Sequence, residues 1–241
     1  MVKVCVFDVM ETLLDLKTLD SLFEGTLGDA TARQQWFSQV VQSAMVSTIT
    51  DAYQDFSTIG RASLEMMIDR RRLKVADEQT DGILEAMRRL RPHPDVAPAL
   101  ERLKSANVRM TALSNSTVEV VEEQLANAGL RDYFERILSA DSVRQFKPAP
   151  RVYQKAAEVL GVQPSEMRLI SAHDWDVSGA LHAGCMAAFV AREDQVLNPL
   201  SGKPDIVGKD LGDVAEQIIA LQEQTSGQSS AAASASKSGS S

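Results

Sequence analysis

The sequence predicts an α/β protein built on a doubly wound parallel sheet, with an all-helical cap inserted into it. Short apolar runs alternate with helical patterns over residues 91–222, as in parallel sheets that carry helices on both faces. Over residues 16–90 the apolar residues recur only at helical spacing, without strand-like alternation. We therefore expect a core of residues 1–15 and 91–222, and a helical cap of residues 16–90.

The first element is a buried strand over residues 2–9, where an apolar run meets the single carboxylate of Asp8. Three later stretches predict the cap helices: TARQQWFSQVVQSAMVSTI, ASLEMMIDRRRL and TDGILEAMRRL. The segment RPHPDV, residues 91–96, contains two prolines, which interrupt the helical pattern and mark the return of the chain to the core.

The core elements then alternate. Strands are predicted over VRMTALSN, RILSAD, MRLISAHD and MAAFVAR, and helices over VAPALERLKSA, STVEVVEEQLANAGL, APRVYQKAAEVLG and DVSGALHAG. We expect the second of these helices to begin at a Ser cap and to stop at Gly129. A short strand and a helix over PDIVGKDLGDVAEQIIALQEQ close the fold. Residues 225–241 are rich in Ser, Ala and Gly and have no large apolar residue, so we expect them to be disordered.

Composition narrows the class of protein. A chain of 241 residues with 44% hydrophobic residues can bury a sizeable core, and its formal net charge of -8 argues against nucleic acid as a partner. We find neither a signal peptide nor an apolar run long enough to span a membrane, so we expect a cytoplasmic protein without a membrane partner. Cys5 and Cys185 lack the spacing of a zinc site and are expected to be buried free thiols.

Four of the predicted strands end in polar residues. These ends are Asp8, the pair Ser114–Asn115, the segment AD followed by Lys147, and the stretch SAHDWD at residues 171–176. Ligands of open parallel sheets bind beyond the carboxyl ends of the strands. Each end alone is a weak signal, but together they predict one site.

Asp8 is the expected nucleophile of this site. A lone Asp at the end of a strand is more often a turn residue, but the other polar ends should lie beside it. A carboxylate attacks carbon or phosphorus when it is held close to the substrate and kept ionised. Lys147 would supply the positive charge that does so, although most lysines are simply exposed. Ser114 and Asn115 offer hydroxyl, amide and backbone N–H groups to an anion, and Ser116 is free to cap the following helix.

The segments FDVMETLLD, LSNS, FKPAPRVY and SAHDWDVSGA, with PDIVGKDL near the end, together resemble the L-2-haloacid dehalogenases of the haloacid dehalogenase superfamily. The resemblance covers roughly residues 1–222. It implies a Rossmann-like hydrolase core and (S)-2-haloacid dehalogenase activity, which hydrolyses the carbon–halogen bond of small 2-haloalkanoic acids, haloacetates included. Asp8 would displace the halide with inversion, and water would then release the 2-hydroxy acid from the Asp8 ester.

The resemblance, together with the residues that stand at its positions in this chain, predicts roles for individual residues. The expected catalytic residues are Asp8, Thr12, Lys147, Ser171, His173 and Asp176. The expected substrate-binding residues are Val9, Met10, Phe37, Ser114, Asn115, Tyr153 and Trp175. The expected partner is a small halogenated carboxylic acid, and the resemblance also implies a homodimer.

Two positions argue against phosphatase chemistry. Phosphatases of this superfamily carry a second Asp where this chain has Met10, and a metal-binding Asp where it has Ala172. Mg²⁺ requires several oxygen ligands, so we expect neither a metal nor a cofactor. A halide leaves as a stable anion and takes no proton, so its departure requires neither the acid nor the metal.

Three residues depart from the dehalogenase pattern. The family usually has Tyr in place of Met10, Asn in place of His173, and Arg in place of Phe37. That Arg normally receives the halide or the substrate carboxylate. His173 is either a hydrogen-bond donor or base for water, or a structural residue. The alternatives that stay open are a hydrolase of another small acid or ester, a phosphatase, and a non-catalytic binding protein.

Overall fold

The computed structural model describes residues 2–29 and 31–237, and the side chains of these as far as residue 224. Its main sheet has six parallel strands in the order β5-β4-β1-β6-β7-β8, and a separate pair joins β2 and β3. The strands are β1 Val4–Phe7, β2 Leu14–Asp15, β3 Arg91–Pro92, β4 Met110–Ser114, β5 Arg136–Ser139, β6 Met167–Ser171, β7 Met186–Val190 and β8 Ile206–Gly208.

Helices cover both faces of this sheet and also form the cap between β2 and β3. They are α1 Asp20–Leu27, α2 Ala32–Ile49, α3 Phe56–Arg71, α4 Asp77–Ala86, α5 Val96–Ser105, α6 Val118–Asn127, α7 Pro150–Leu160, α8 Asp174–His182 and α9 Leu211–Lys237. The first four form the cap, and the doubly wound α/β fold with a helical cap is confirmed.

Alternation along β1 explains why helices cover both faces. Cys5 and Phe7 pack into one apolar cluster, while Val4 and Val6 pack into another. Successive side chains of a strand point to opposite faces, so a strand that is apolar at every position must be covered twice. Helices α5 and α9 contribute to the first cluster, and α7 contributes to the second.

The antiparallel pair of β2 and β3 is an element that the sequence did not predict. Leu14 pairs with Pro92, and Asp15 pairs with Arg91, at the two ends of the helical insertion. Two-residue strands carry no periodicity, which is why pattern reasoning cannot detect them. The pair holds together the two chain segments that connect cap and core.

Four expectations about local structure can be compared with the structure. The first strand is shorter than residues 2–9, and Asp8 lies just beyond its end. The Ser cap predicted for α6 is wrong, because its N-cap is Thr117, which makes no side-chain capping bond. Gly129 follows the end of this helix with φ +70°, which is the left-handed conformation expected of a stop glycine. Cys5 and Cys185 are buried free cysteines, as expected.

The C-terminal expectation concerns residues 225–241. The final helix, α9, ends at Lys237. The side chains beyond residue 224, and residues 238–241 altogether, lie outside the described residues, so the expected disorder stays a prediction. No helix in the described part of the chain combines the length and apolar character that crossing a membrane requires.

Candidate active site

The candidate site lies where β4, β1 and β6 end side by side. These three strands are neighbours in the sheet, and they run parallel, so their carboxyl ends reach the same edge. Asp8 follows the central strand, and its N–H donates to the carbonyl of Ile170 over 3.0 Å. Ser114 closes the strand on one side, and Ser171 closes the strand on the other.

Asp8 is buried, and two neighbours fix its carboxylate. The hydroxyl of Thr12 donates to Oδ2 over 2.6 Å, and the ammonium of Lys147 donates to Oδ1 over 2.6 Å. Thr12 is in turn held by the N–H of Ala172, which donates to its hydroxyl oxygen over 2.9 Å. A carboxylate held this way has a fixed direction of attack.

Lys147 joins Asp8 to a second buried carboxylate. Its ammonium lies 2.7 Å from Oδ2 of Asp176 and also donates to the carbonyl of Leu113 over 3.1 Å. The other oxygen of Asp176 accepts the hydroxyl of Tyr153 over 2.5 Å. Two carboxylates and one ammonium leave the cluster with one negative charge, and charges this deeply buried persist only when they are paired.

The pKa values of this cluster follow from its charges. Burial by itself lowers the pKa of Lys147, but Asp176 and Asp8 outweigh burial and raise that pKa above its ordinary value. Burial raises the pKa of Asp176, against the lowering effect of Lys147, and the nearby Asp8 raises it further. Burial, with Asp176, raises the pKa of Tyr153 well above its ordinary value. Lys147 and Tyr153 therefore stay protonated and act here as hydrogen-bond donors.

Asn115 and Ser114 form the side of the site that follows β4. The side-chain oxygen of Asn115 accepts the N–H of Lys147 over 2.9 Å, which leaves its amide NH₂ group for a ligand. The hydroxyl oxygen of Ser114 accepts the N–H of Ser116 over 3.2 Å, and its own O–H remains as a donor. Both side chains are buried and border the same cavity as Asp8.

His173 lies between two aromatic rings beside Asp8. Its ring centroid is 4.9 Å from that of Trp175, nearly parallel to it, and 5.7 Å from that of Phe37. Its Nε2 lies 3.2 Å from the carbonyl oxygen of Met10 and 3.8 Å from Oδ2 of Asp8. The imidazole is therefore close enough to act on a water molecule beside the Asp8 carboxylate.

These residues enclose a small cavity of about 20 Å³, which we call the catalytic pocket. That volume admits about one water molecule, so a substrate enters only when a wall moves. Its lining consists of Asp8, Met10, Phe37, Val41, Phe56, Ser114, Asn115, Lys147, His173 and Trp175.

Eight of the thirteen predicted site residues line the catalytic pocket, and five lie behind it. Thr12 and Asp176 hold the lining residues Asp8 and Lys147, and Tyr153 bonds to Asp176 rather than reaching the pocket. Ser171 accepts the N–H of His173 over 3.1 Å. Val9 is buried in the core, so its side chain offers no surface to a ligand.

Sequence reasoning missed two residues of the pocket, Val41 and Phe56. Val41 stands four residues after Phe37 on α2, so helical spacing places it on the same face. Phe56 is the first residue of α3, directly after the capping residue Asp55. Helical spacing could have identified Val41, but no local sequence pattern identifies Phe56.

Arg33 is another buried residue near the site that the sequence did not reveal. It lies one helical turn before Phe37 and pairs with Asp20 and, over 3.1 Å, with Glu11. Glu11 has φ +58°, the left-handed conformation, and stands three residues after Asp8. Arg33 borders an outer groove rather than the catalytic pocket. Its guanidinium therefore does not replace the Arg that the dehalogenase family has in place of Phe37.

The donor set around Asp8 does not resemble a magnesium site. Met10 and Ala172 offer no side-chain oxygen, and the ammonium of Lys147 occupies the space between the two carboxylates. Among the side chains that the structure describes, no three His, Cys, Asp or Glu groups are arranged to hold a metal ion. Metal-independent chemistry stays a prediction of the donor set.

The sequence of this chain is similar to those of known hydrolases. The family model of the haloacid dehalogenase-like hydrolases matches residues 2–184. An (S)-2-haloacid dehalogenase of Xanthobacter autotrophicus is 32% identical over 205 residues, which cover 81% of this chain and 77% of that protein. The (S)-2-haloacid dehalogenase H-109 of Pseudomonas putida is 26% identical over 218 residues, with 89% and 96% covered.

A solved structure is also similar over most of its length. It is the L-2-haloacid dehalogenase of Xanthobacter autotrophicus with chloropropionic acid covalently bound, at a TM-score of 0.84 and 28% identity. The similarity covers 90% of this chain and 98% of that one.

Proposed function

Because this chain belongs to the haloacid dehalogenase-like hydrolases, we propose that it is an (S)-2-haloacid dehalogenase. The observation that carries the proposal is the buried carboxylate of Asp8, held by Thr12 and Lys147 at the wall of a small, largely apolar pocket. Such a carboxylate is shielded from water and directed at whatever carbon the pocket holds. The covalent adduct in the solved relative supports the same type of reaction.

The proposed reaction has two steps. An oxygen of Asp8 forms a bond to C2 of the acid while the carbon–halogen bond breaks, and the halide leaves with the bonding electron pair. Water then attacks the carbonyl carbon of the resulting ester. The bond from that carbon to the ester oxygen breaks, the 2-hydroxy acid leaves with an oxygen from Asp8, and one proton is released overall.

The neighbouring residues have distinct proposed roles. Lys147 offsets the charge of the carboxylates, and Asp176 holds Lys147 in place. Ser114 and the amide of Asn115 receive the substrate carboxylate, and Trp175 borders the halide. The homodimer and the cytoplasmic location implied above stay predictions.

The test measures halide release from chloroacetate, 2-chloropropionate and fluoroacetate, each with and without EDTA. We expect release from at least one acid at a rate that chelation does not change, because Met10 and Ala172 provide no metal-binding oxygen. A steep loss on chelation that Mg²⁺ restores would instead favour phosphoryl transfer. Single turnover in ¹⁸O-water should place the label in Asp8 rather than in the product.

Phe37 favours a second candidate, a hydrolase of another small acid or ester. The cluster around Lys147 already carries one negative charge, and an apolar ring stands where the family has a cation. A substrate with a weaker negative charge is repelled less by such a site. If no halogenated acid releases halide but a small ester forms an adduct on Asp8, this candidate replaces the first.

A further inference from the structure

A second cavity lies beside the catalytic pocket, between the cap and the core. We call it the cap cavity; its volume is about 460 Å³, within the usual range of small-molecule sites. The residues used below are Met10, Trp36, Val40, Phe56, Val120 and Gln124. The catalytic pocket, at about 20 Å³, has room for little beyond the reacting atoms.

Helix α2 shows that the two cavities are neighbours. Trp36 and Val40 border the cap cavity, while the residues that follow them, Phe37 and Val41, border the catalytic pocket. Positions four apart share one face of a helix, so two adjacent faces of α2 line two adjacent spaces.

Two side chains form the partition between these spaces. Met10 and Phe56 line both cavities, and both are nearly buried. Methionine is unbranched and changes rotamer readily, so Met10 can move without disturbing the sheet beneath it. A rotation of Met10 would connect the pocket at Asp8 with the larger space.

Gln124 is a buried polar residue in the wall of the cap cavity. Its side chain is fully buried, and its amide NH₂ donates to the carbonyl of Met87 over 2.8 Å. Its amide oxygen has no hydrogen-bond partner among the described residues. A buried acceptor without a partner is costly, and a ligand that brings an O–H or N–H group to it removes that cost.

We propose that the cap cavity binds the side chain of the substrate. This inference rests on the function proposed above. The substrate class is a 2-halo acid whose side chain is apolar for several carbons and ends in a hydroxyl or amide N–H donor. The acid end lies at Asp8, the carbon chain passes between Met10 and Phe56, and the donor meets Gln124.

The first test compares halide release from 2-bromohexanoate and 2-bromopropionate. The ratio of their kcat/KM values should favour the longer acid in the wild type, since each methylene buried adds about fourfold. Val120→Trp fills the cap cavity and should lower that ratio by about tenfold or more. Val118→Trp is the matched control, because Val118 is exposed on the same helix and should leave the ratio unchanged.

The second test measures binding by calorimetry and needs no turnover. 6-Hydroxyhexanoate should bind about fivefold more tightly than hexanoate, because only the former can donate to Gln124. Gln124→Met keeps the volume of the side chain and should abolish that preference. Equal binding of the two acids by the wild type would overturn the role of Gln124.

The two tests separate failure of this inference from failure of the proposed function. If short acids release halide while Val120→Trp leaves the ratio unchanged, the cap cavity does not bind the side chain. If no acid releases halide yet 6-hydroxyhexanoate binds and Val120→Trp abolishes that binding, the cavity assignment stands and the dehalogenase proposal falls.

Discussion

Asp8 is the residue on which the proposed chemistry depends. Asp8→Asn keeps the size of the side chain but removes the nucleophile, so we expect a rate at least about a hundredfold lower. Halide release and the circular dichroism spectrum measure this directly, and mass spectrometry of the wild type with a slow substrate should find an adduct on the Asp8 peptide. Asp174→Asn, in the neighbouring stretch, should keep most of the rate. A variant at position 8 that retained more than about a hundredth of the rate would remove Asp8 as nucleophile.

His173 allows the two chemical steps to be tested separately. Its Nε2–H donates to the carbonyl of Met10 and lies 3.8 Å from Oδ2 of Asp8, so it can orient the water that attacks the ester. His173→Ala should then spare ester formation and slow hydrolysis of the ester. Rapid-quench measurement should show a burst of about one halide per site, followed by a slow steady rate.

The control for this experiment is His182→Ala, since His182 bonds to the carbonyl of Ser178 on the exposed side of α8. It should change neither phase. Loss of stability in His173→Ala with both steps slowed together would mean that His173 only packs between Phe37 and Trp175. Normal release in both phases would remove it from the mechanism.

Helix α8 shows how one element positions the charged cluster. A Cβ atom on Gly179 would lie 2.5 Å from Cβ of Pro148 and 2.7 Å from the hydroxyl of Tyr153. The helix therefore approaches closely the residue that follows Lys147, and it carries Asp176 on the same side. Only a glycine permits this approach.

Gly179→Ala should accordingly destabilise the protein by about 1–3 kcal/mol, because backbone and ring atoms must shift to admit one methyl group. We also expect a lower kcat, since Lys147 and Tyr153 would move relative to Asp176. Gly82→Ala is the matched control: Gly82 lies in α4 with no atom near its Cβ position, and alanine should stabilise that helix by about 0.5–1 kcal/mol. Urea denaturation measures both effects, and equal stabilities would contradict the steric account.

Elements with a clear period could be predicted from the sequence, and those without one could not. The alternation of apolar runs and helices correctly indicated the sheet, and the polar ends of its strands correctly grouped Asp8, Ser114 and Lys147. The pair β2–β3 and the contact of Arg33 with Glu11 could not be predicted, because both depend on how segments distant in sequence meet in the fold. Which residues line the pocket and which lie behind it likewise depends on tertiary packing.

Across the whole molecule, several buried groups predict that stability falls in alkaline solution. Burial raises the pKa of Cys5 and of Cys185 from 9.0 to about 12 in each case. Between these values the unfolded thiols lose protons that the folded ones keep, so the unfolding free energy decreases as pH rises. The raised pKa values of Lys147 and Tyr153 act in the same direction above about pH 10.

Urea denaturation between about pH 9 and about pH 10.5 should therefore show a decline that approaches roughly 1.4 kcal/mol per pH unit for each buried thiol. The double variant Cys5→Ala, Cys185→Ala should have a shallower decline, whatever its stability at neutral pH. An unchanged slope in this variant would mean that the thiols ionise equally in the folded and unfolded states.

The single negative charge left around Lys147 also bears on how a turnover ends. In the proposed reaction one anion enters the small catalytic pocket, and two anions, the halide and the hydroxy acid, must leave it. Two like charges about 4 Å apart repel by about 4 kcal/mol at an effective dielectric constant of about 20, and the cluster adds to this. The halide and the hydroxy acid therefore repel each other in the site, and this repulsion favours the release of both products.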